Sequence, residues 1–360
     1  MTRRRVKRGP RILRDTIGPR ARRTTPRLPI GKVSPALLKS VVYTHIGARR
    51  PDVLVHAQLG EDCAAIEFGE QVCVVTADPI TGAGADLGWY AVFVATNDLA
   101  AAGAEPVALL ATLLLCPARA AEDLRRVMRD ISAAAKQVNV EIAGGHSEVT
   151  AGIDRTIIVL TALGRARRGK ALRSGGAQIG DALLLTKSAA IEGTSILAAT
   201  LEDRLRPALG DAVLARAKAF REEISVLPEA RAAVRAGARA MHDVTEGGVL
   251  GAAYEMAAAS GIGIRVDTAR VPVRRETEAI CEHLGVDPLS LIGSGALLVA
   301  TPDAARTIGA IARAGIPATE IGRFTRGGRL MVRGRRAAPL RAPAQDELWR
   351  ILKKLKGHRR

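Results

Sequence analysis

Four short segments of this 360-residue chain set carboxylate or amide side chains beside glycines: Gly60-Glu61-Asp62-Cys63-Ala64, Thr76-Ala77-Asp78-Pro79, Asn97-Asp98-Leu99-Ala100 with Gly103-Ala104-Glu105-Pro106, and Gly144-Gly145-His146-Ser147-Glu148. Carboxylate oxygens are hard donors that hold Mg2+ through a few direct bonds, leaving its other positions to water and phosphates. Between Arg50 and Arg119 there is no Lys or Arg, yet nine acids occur there, so this stretch repels phosphate unless a cation intervenes. A metal-bridged triphosphate is the ligand such residues suit. A fifth segment, Met241-His242-Asp243-Val244-Thr245-Glu246-Gly247-Gly248, is a polar turn whose glycines open a helix, where backbone N–H groups can face phosphate. Taken singly, each has an ordinary reading. Asp62 or Asp78 reads as a turn or capping residue, Asn97-Asp98 as solvent-facing helix polarity, and His146 as a turn cap.

The elements that must position these residues follow from periodicity, and each segment falls at the edge of one. Ser34-Pro35 starts a helix with Leu37, Leu38, Val41 and Val42 as its stripe and Gly47 as its stop. A buried strand is expected over 71–77, ending at Asp78-Pro79. A helix over 89–102 closes at Gly103, and a strand over 106–115, an amphipathic helix over 120–137 and a strand over 155–164 complete one α/β unit. The polar run 165–175 separates it from a second unit, with strands over 182–186, 263–266 and 296–300, helices through the Ala-rich stretch to residue 236, and a helix over 248–259. A tail helix over 346–356 carries Leu348, Ile351, Leu352 and Leu355 on one face, which reads as a packing or dimer-contact face. The expected organisation is a disordered basic leader over 1–29, an amino-terminal ATP- and Mg-binding domain over 30–165, a carboxy-terminal α/β domain over 175–335 and a basic tail over 336–360.

Composition narrows the partners. The formal charge of +18 resides at the ends, with +10 over residues 1–30 and +11 over 323–360, which leaves −3 for the body. With aromatics at 2%, the core has little to stack on bases, so nucleic acid is not its expected partner, although the tails can touch polyanions nonspecifically. The longest apolar stretch, 107–116, is too short to cross a bilayer, and the basic start runs into more charge rather than a signal-peptide core. Cys63, Cys73, Cys116 and Cys281 lack the close pairing of zinc or redox motifs, so free thiols in a reducing cytoplasm are expected.

In sequence order, GEDCAAI (60–66), TADPITGAG (76–84), NDLAAAGAEP (97–106), GGHSEVT (144–150) and HDVTEGGVLG (242–251) resemble the motifs of the AIR synthetase-like superfamily. That superfamily contains aminoimidazole ribonucleotide synthetase, selenophosphate synthetase, thiamine monophosphate kinase and the hydrogenase maturation factor HypE. The segments ICEHLGVDPL (280–289) and GALL (295–298) look most like HypE, while GGHS and Asp-Val-Thr also resemble selenophosphate synthetase. The resemblance implies a two-domain α/β fold in a homodimer, the amino-terminal sheets pairing into a barrel and ATP lying in the cleft. It implies that Asp62, Asp78, Asp98 and Asp243 hold Mg2+, and that Gly31, Asn97, Gly144, Gly145, Thr245, Gly247 and Gly248 line the nucleotide. Lys32 would close over the phosphates, and His146 and Glu148 would contact substrate or move a proton.

The implied reaction is ATP-dependent activation of a substrate oxygen or similar nucleophile, followed by loss of phosphate, with a small-molecule or protein-borne acceptor. Proteins of the HypE type carry a terminal cysteine that accepts a carbamoyl group, whereas this sequence ends Gly357-His358-Arg359-Arg360. HypE-like chemistry without that carrier is therefore expected. The alternatives are a catalytically inactive nucleotide-binding scaffold in metalloenzyme maturation and a phosphotransferase like selenophosphate synthetase or thiamine monophosphate kinase.

Overall fold

The computed structural model describes residues 32–80 and 86–357. The leader and Gly31 lie outside them. A short helical turn, α1 (Pro35–Leu37), is capped by the Ser34 hydroxyl, which accepts from the Leu37 amide. The first sheet contains β1 (Val53–Val55), β2 (Ala64–Phe68), β3 (Gln71–Ile80), β4 (Glu105–Leu115), β5 (Glu141–Val149) and β6 (Ile157–Arg167), in the order β1-β2-β3-β6-β4-β5. Only β4 and β5 run parallel, because α3 (Ala120–Gln137) makes the crossover between them. Strand β6 alternates as a sheet covered on one face requires: Ile158, Leu160 and Ala162 are fully buried, and the residues between them are less so.

The covering element is α2 (Leu87–Ala101), all fifteen residues of which are buried. A helix that is apolar all round needs neighbours on every side. Here they are β3, β6 and α3 from its own unit, and β8 (Ala240–Asp243) and α6 (Leu227–Ala236) from the second. The remaining strands of the second unit are β7 (Ala182–Thr186), β9 (Gly263–Asp267), β10 (Leu297–Thr301), β11 (Ala318–Thr325), β12 (Arg329–Arg333) and β13 (Arg336–Pro339). They join β8 in the order β13-β12-β9-β11-β7-β10-β8. The other helices are α4 (Ile191–Thr200), α5 (Glu202–Ala219), α7 (Gly248–Ala259), α8 (Arg275–Leu284), α9 (Ala304–Ala312) and α10 (Glu347–Gly357).

Three expectations change. Strand β3 does not stop at Asp78 but continues through Pro79 to Ile80. Beyond Val75 its only strand neighbour among the described residues is β6, and a proline without an N–H is tolerated on such an edge. The GGHSE segment lies within β5 rather than at an element edge, whereas Asn97-Asp98 lies inside α2, where the helix expected over 89–102 puts it. The arginine-rich stretch after residue 323 is folded: β12 and β13 pair with each other, β12 joins β9, and α10 buries Leu348 and Ile351 in the core. The packing face expected for α10 is thus used within the chain. All four cysteines are free, Cys116 and Cys281 buried and Cys63 and Cys73 partly so.

Candidate nucleotide and metal site

Strand ends of both sheets and the second half of α2 meet at one cavity of about 510 Å³, lined among others by Lys32, Asp62, Asp78, Asp98, Thr245 and Glu246. Asp98 lies in α2 with 7% of its surface exposed, the opposite of a solvent-facing polar residue. The Thr76 hydroxyl of β3 donates to Asp98 Oδ2 at 2.7 Å and lies 3.2 Å from Asp78 Oδ2, tying helix acid to strand acid. Asp62 follows the Gly60 turn before β2, and the Ser174 hydroxyl donates to it at 3.0 Å. The run between the domains is therefore more than a spacer, since Arg173 also pairs with Glu61 at 3.1 Å.

Asp243, the last residue of β8, is fully buried and neither of its carboxylate oxygens has a hydrogen-bond partner among the described residues. Burial raises its pKa to about 7, and the charges of Asp62 and Asp78 add to the rise against the opposing pull of His242 and Lys32. Asp98 is raised well above the carboxylate range by burial first, then by Asp243, Asp78 and Asp62. Like charges held together in a dry site are costly unless a cation joins them, so the donor set fits a hard divalent ion.

Two residues that sequence reasoning left unassigned organise this cluster. His242 Nδ1 lies 2.6 Å from Asp62 Oδ2, and its Nε2 lies 3.1 Å from Glu255 Oε2 on α7. Burial alone would lower the imidazole pKa, but Asp62 and Glu255 together outweigh it and hold the ring well above its ordinary value. With a carboxylate at each nitrogen, both are donors and the ring is an imidazolium. Asp62, His242 and Asp243 place ligand atoms within 4.8 Å of one another, but a ring so engaged is a clamp between two acids and not a metal ligand. Burial would raise the Glu255 pKa, yet Lys32 and His242 bring it down to about 2. His242 adjoins Asp243 in a recognised motif, which was the available signal. Glu255 sits about two turns into α7, where sequence carried none.

Lys32, half exposed, directs its ammonium to Thr245 Oγ1 and Glu255 Oε2, both at 3.4 Å, and its backbone N–H to Glu246 Oε2 at 3.0 Å. Desolvation opposes its charge, but Glu255, Asp62, Glu246 and Asp243 prevail and raise its pKa. A cation thus stands at the rim of the acid cluster.

Other expected ligands go elsewhere. Asn97 is fully buried, its amide donating to Ile224 O at 2.8 Å and accepting from the Val226 amide at 2.9 Å, so it ties α2 to the second unit instead of facing the cavity. The Gly247 amide donates to Asp346 Oδ2 at 2.6 Å and the Gly248 amide to Thr245 O at 3.1 Å, so neither N–H is free for phosphate. Both glycines have positive φ, and a Cβ on Gly248 would meet Leu289 O at 2.6 Å. Gly144, Gly145, His146 and Glu148 lie on the exposed edge strand β5, away from the residues that line the cavity. Gly145 is required by close packing, since a Cβ there would fall 2.0 Å from Ala111 O. His146 and Glu148 contact each other at 3.3 Å.

Fold and site together define a two-domain α/β protein built around an interdomain carboxylate cluster with a lysine at its rim. Residues 60–166 match the amino-terminal domain of AIR synthase related proteins, and residues 178–335 match the carboxy-terminal domain. A putative hydrogenase expression/formation protein of Methanocaldococcus jannaschii is 30% identical over 279 residues, covering 75% of this chain and 80% of its own length. Carbamoyl dehydratase HypE of Rhodobacter capsulatus is 29% identical over 279 residues, covering 76% and 79%. The crystal structure of hydrogenase maturation protein HypE in complex with ATP has the same fold, with a TM-score of 0.65 at 23% identity over 89% of this chain and 98% of that one. The chain belongs to the AIR synthase related protein family, as its ordered motifs implied. Among the described residues, no helix is long and apolar enough to cross a membrane.

Proposed function

We propose that this chain is an ATP- and Mg2+-dependent enzyme of the HypE type, which activates the oxygen of a carbamoyl or similar acceptor by phosphoryl transfer and then loses that oxygen as phosphate. The observation that carries the reading is Asp243, whose buried oxygens have no hydrogen-bond partner among the described residues and which stands with Asp62, Asp78 and Asp98. Those four acids would hold the ion, which when bound neutralises triphosphate charge. His242 keeps Asp62 and Glu255 in place, and Lys32 presents its ammonium to the phosphates. The relatives named carbamoyl dehydratase support the acceptor class, and the HypE–ATP complex supports the nucleotide.

A homodimer belongs to the same proposal. Large apolar side chains stand exposed on the first sheet, Val107 and Leu110 on β4 and Val149 on the free edge strand β5. His146 and Glu148 would then lie at the contact between copies rather than in this chain's own cavity. The metal assignment is tested by single-turnover ATP hydrolysis with and without Mg2+. The wild type is expected to require the ion, and Asp98→Ala to lose about 100-fold or more in rate. Equal, metal-independent rates in both proteins would reject it.

A further inference from the structure

One buried carboxylate in the cavity has no role in the cluster just described. Glu192 stands in the first turn of α4, 4% exposed, and its Oε2 has no hydrogen-bond partner among the described residues. The helix is buried along Ile191–Ala198, and Gly193 after it is pressed against Leu291 and Ile292, so the side chain has a fixed origin. The other deeply buried glutamate of this domain, Glu229, is paired with the Lys187 ammonium at 2.8 Å. Among the described residues Glu192 has no such cation. The strongest charges acting on it, Asp346 and Glu246, are both acidic, while Ser294 favours its ionised form.

The cavity that Glu192 lines with the acids also has an apolar lining of Ile80, Val94, Ile196, Ile292, Leu348 and Trp349. A buried carboxylate oxygen without a partner, set among apolar lining residues, can orient a ligand through a polar contact. Burial, with Asp346 and Glu246 contributing, raises the carboxyl pKa to about 7 against Ser294, which suits a group that pairs with a neutral N–H donor.

We propose that Glu192 is the residue that selects the acceptor, its carboxyl group receiving an N–H of an amide held against this apolar lining. The inference rests on the ATP-dependent reading above and adds to it a specificity-determining side chain. A site that hydrogen-bonds an N–H discriminates against the analogue that lacks one, because the buried acceptor is then left unpaired.

The test uses the full chain with Mg2+ and a non-hydrolysable ATP analogue, titrated with benzamide and acetophenone, which share a shape but carry NH2 and CH3 respectively. Benzamidine adds a cationic probe, and saturation-transfer NMR reads the affinities. The wild type is expected to bind benzamide at least about tenfold more tightly than acetophenone, and Glu192→Leu to bind the two alike. Glu192→Gln, isosteric and able to fold where the leucine variant does not, is expected to lose about tenfold in benzamidine affinity. The proposal is overturned if the wild type shows no preference, if the preference survives in Glu192→Leu, or if benzamidine binds the glutamine variant as it binds the wild type. Binding of the ATP analogue is measured in the same samples. Its absence would count against the functional reading, whereas intact Mg-dependent analogue binding without probe discrimination sinks the Glu192 assignment alone.

Discussion

Asp243→Asn is expected to make the metal-free protein more stable and the enzyme nearly inactive. At pH 8 the wild-type side chain is an ionised carboxylate, fully buried, with three acidic neighbours and no hydrogen-bond partner among the described residues. Its pKa of about 7 lies above the unfolded value near 3.8, so the proton binds the folded chain more tightly. The resulting stabilisation is complete below the unfolded pKa and is lost as pH rises toward about 7. An uncharged isostere removes that loss. Thermal or urea unfolding without metal should find the variant more stable by roughly 2 kcal/mol at pH 8, with the gap closing as pH falls toward 4. In the presence of Mg2+ and ATP the order should reverse, because the variant forgoes ligand stabilisation. Turnover should drop by about 1,000-fold. A variant that is less stable at every pH, or that keeps its Mg2+ response, would mean that Asp243 is a structural residue.

The second large effect concerns Lys32. Its contacts to Thr245 and Glu255 are at 3.4 Å, and the side chain is half exposed, so it contributes little to folding. An ammonium poised over a triphosphate acts mainly on charge that develops during transfer. Lys32→Ala is therefore expected to lower kcat by about 100-fold while changing the Kd for Mg-ATP only about threefold, with Tm nearly unchanged. Lys32→Arg should recover only part of the rate, because a planar guanidinium cannot substitute for a compact point charge. Comparable losses in kcat and affinity would place Lys32 in ground-state binding instead.

Much of the architecture was legible because its cause is local. The alternation of β6, the amphipathic stripe of α3 and the Gly-rich opening of α7 are written in neighbouring residues, and the expected bounds of β7 and α7 agree with the structure. The site was legible in part. Asp62, Asp78, Asp98 and Asp243 were singled out through motif order, since nothing local announces that a strand end, a buried helix and a second sheet will meet. What sequence missed depends on long-range packing. Asn97 looks like a ligand until the 224–226 backbone is seen to occupy its amide, and Gly247 looks like a phosphate cap until Asp346, ninety-nine residues on, accepts its N–H. Glu192 sits in an apolar run where a lone acid could equally have turned to solvent. Only the fold buries it.

The most direct test locates the ion. Crystals grown with Mn2+ in place of Mg2+ and with an ATP analogue should give anomalous scattering peaks about 2 Å from carboxylate oxygens of the Asp62, Asp78, Asp98 and Asp243 cluster, with the nucleotide phosphates on the same ions. Nucleotide bound in the cavity with manganese absent from that cluster, or ordered at unrelated acids, would contradict the account.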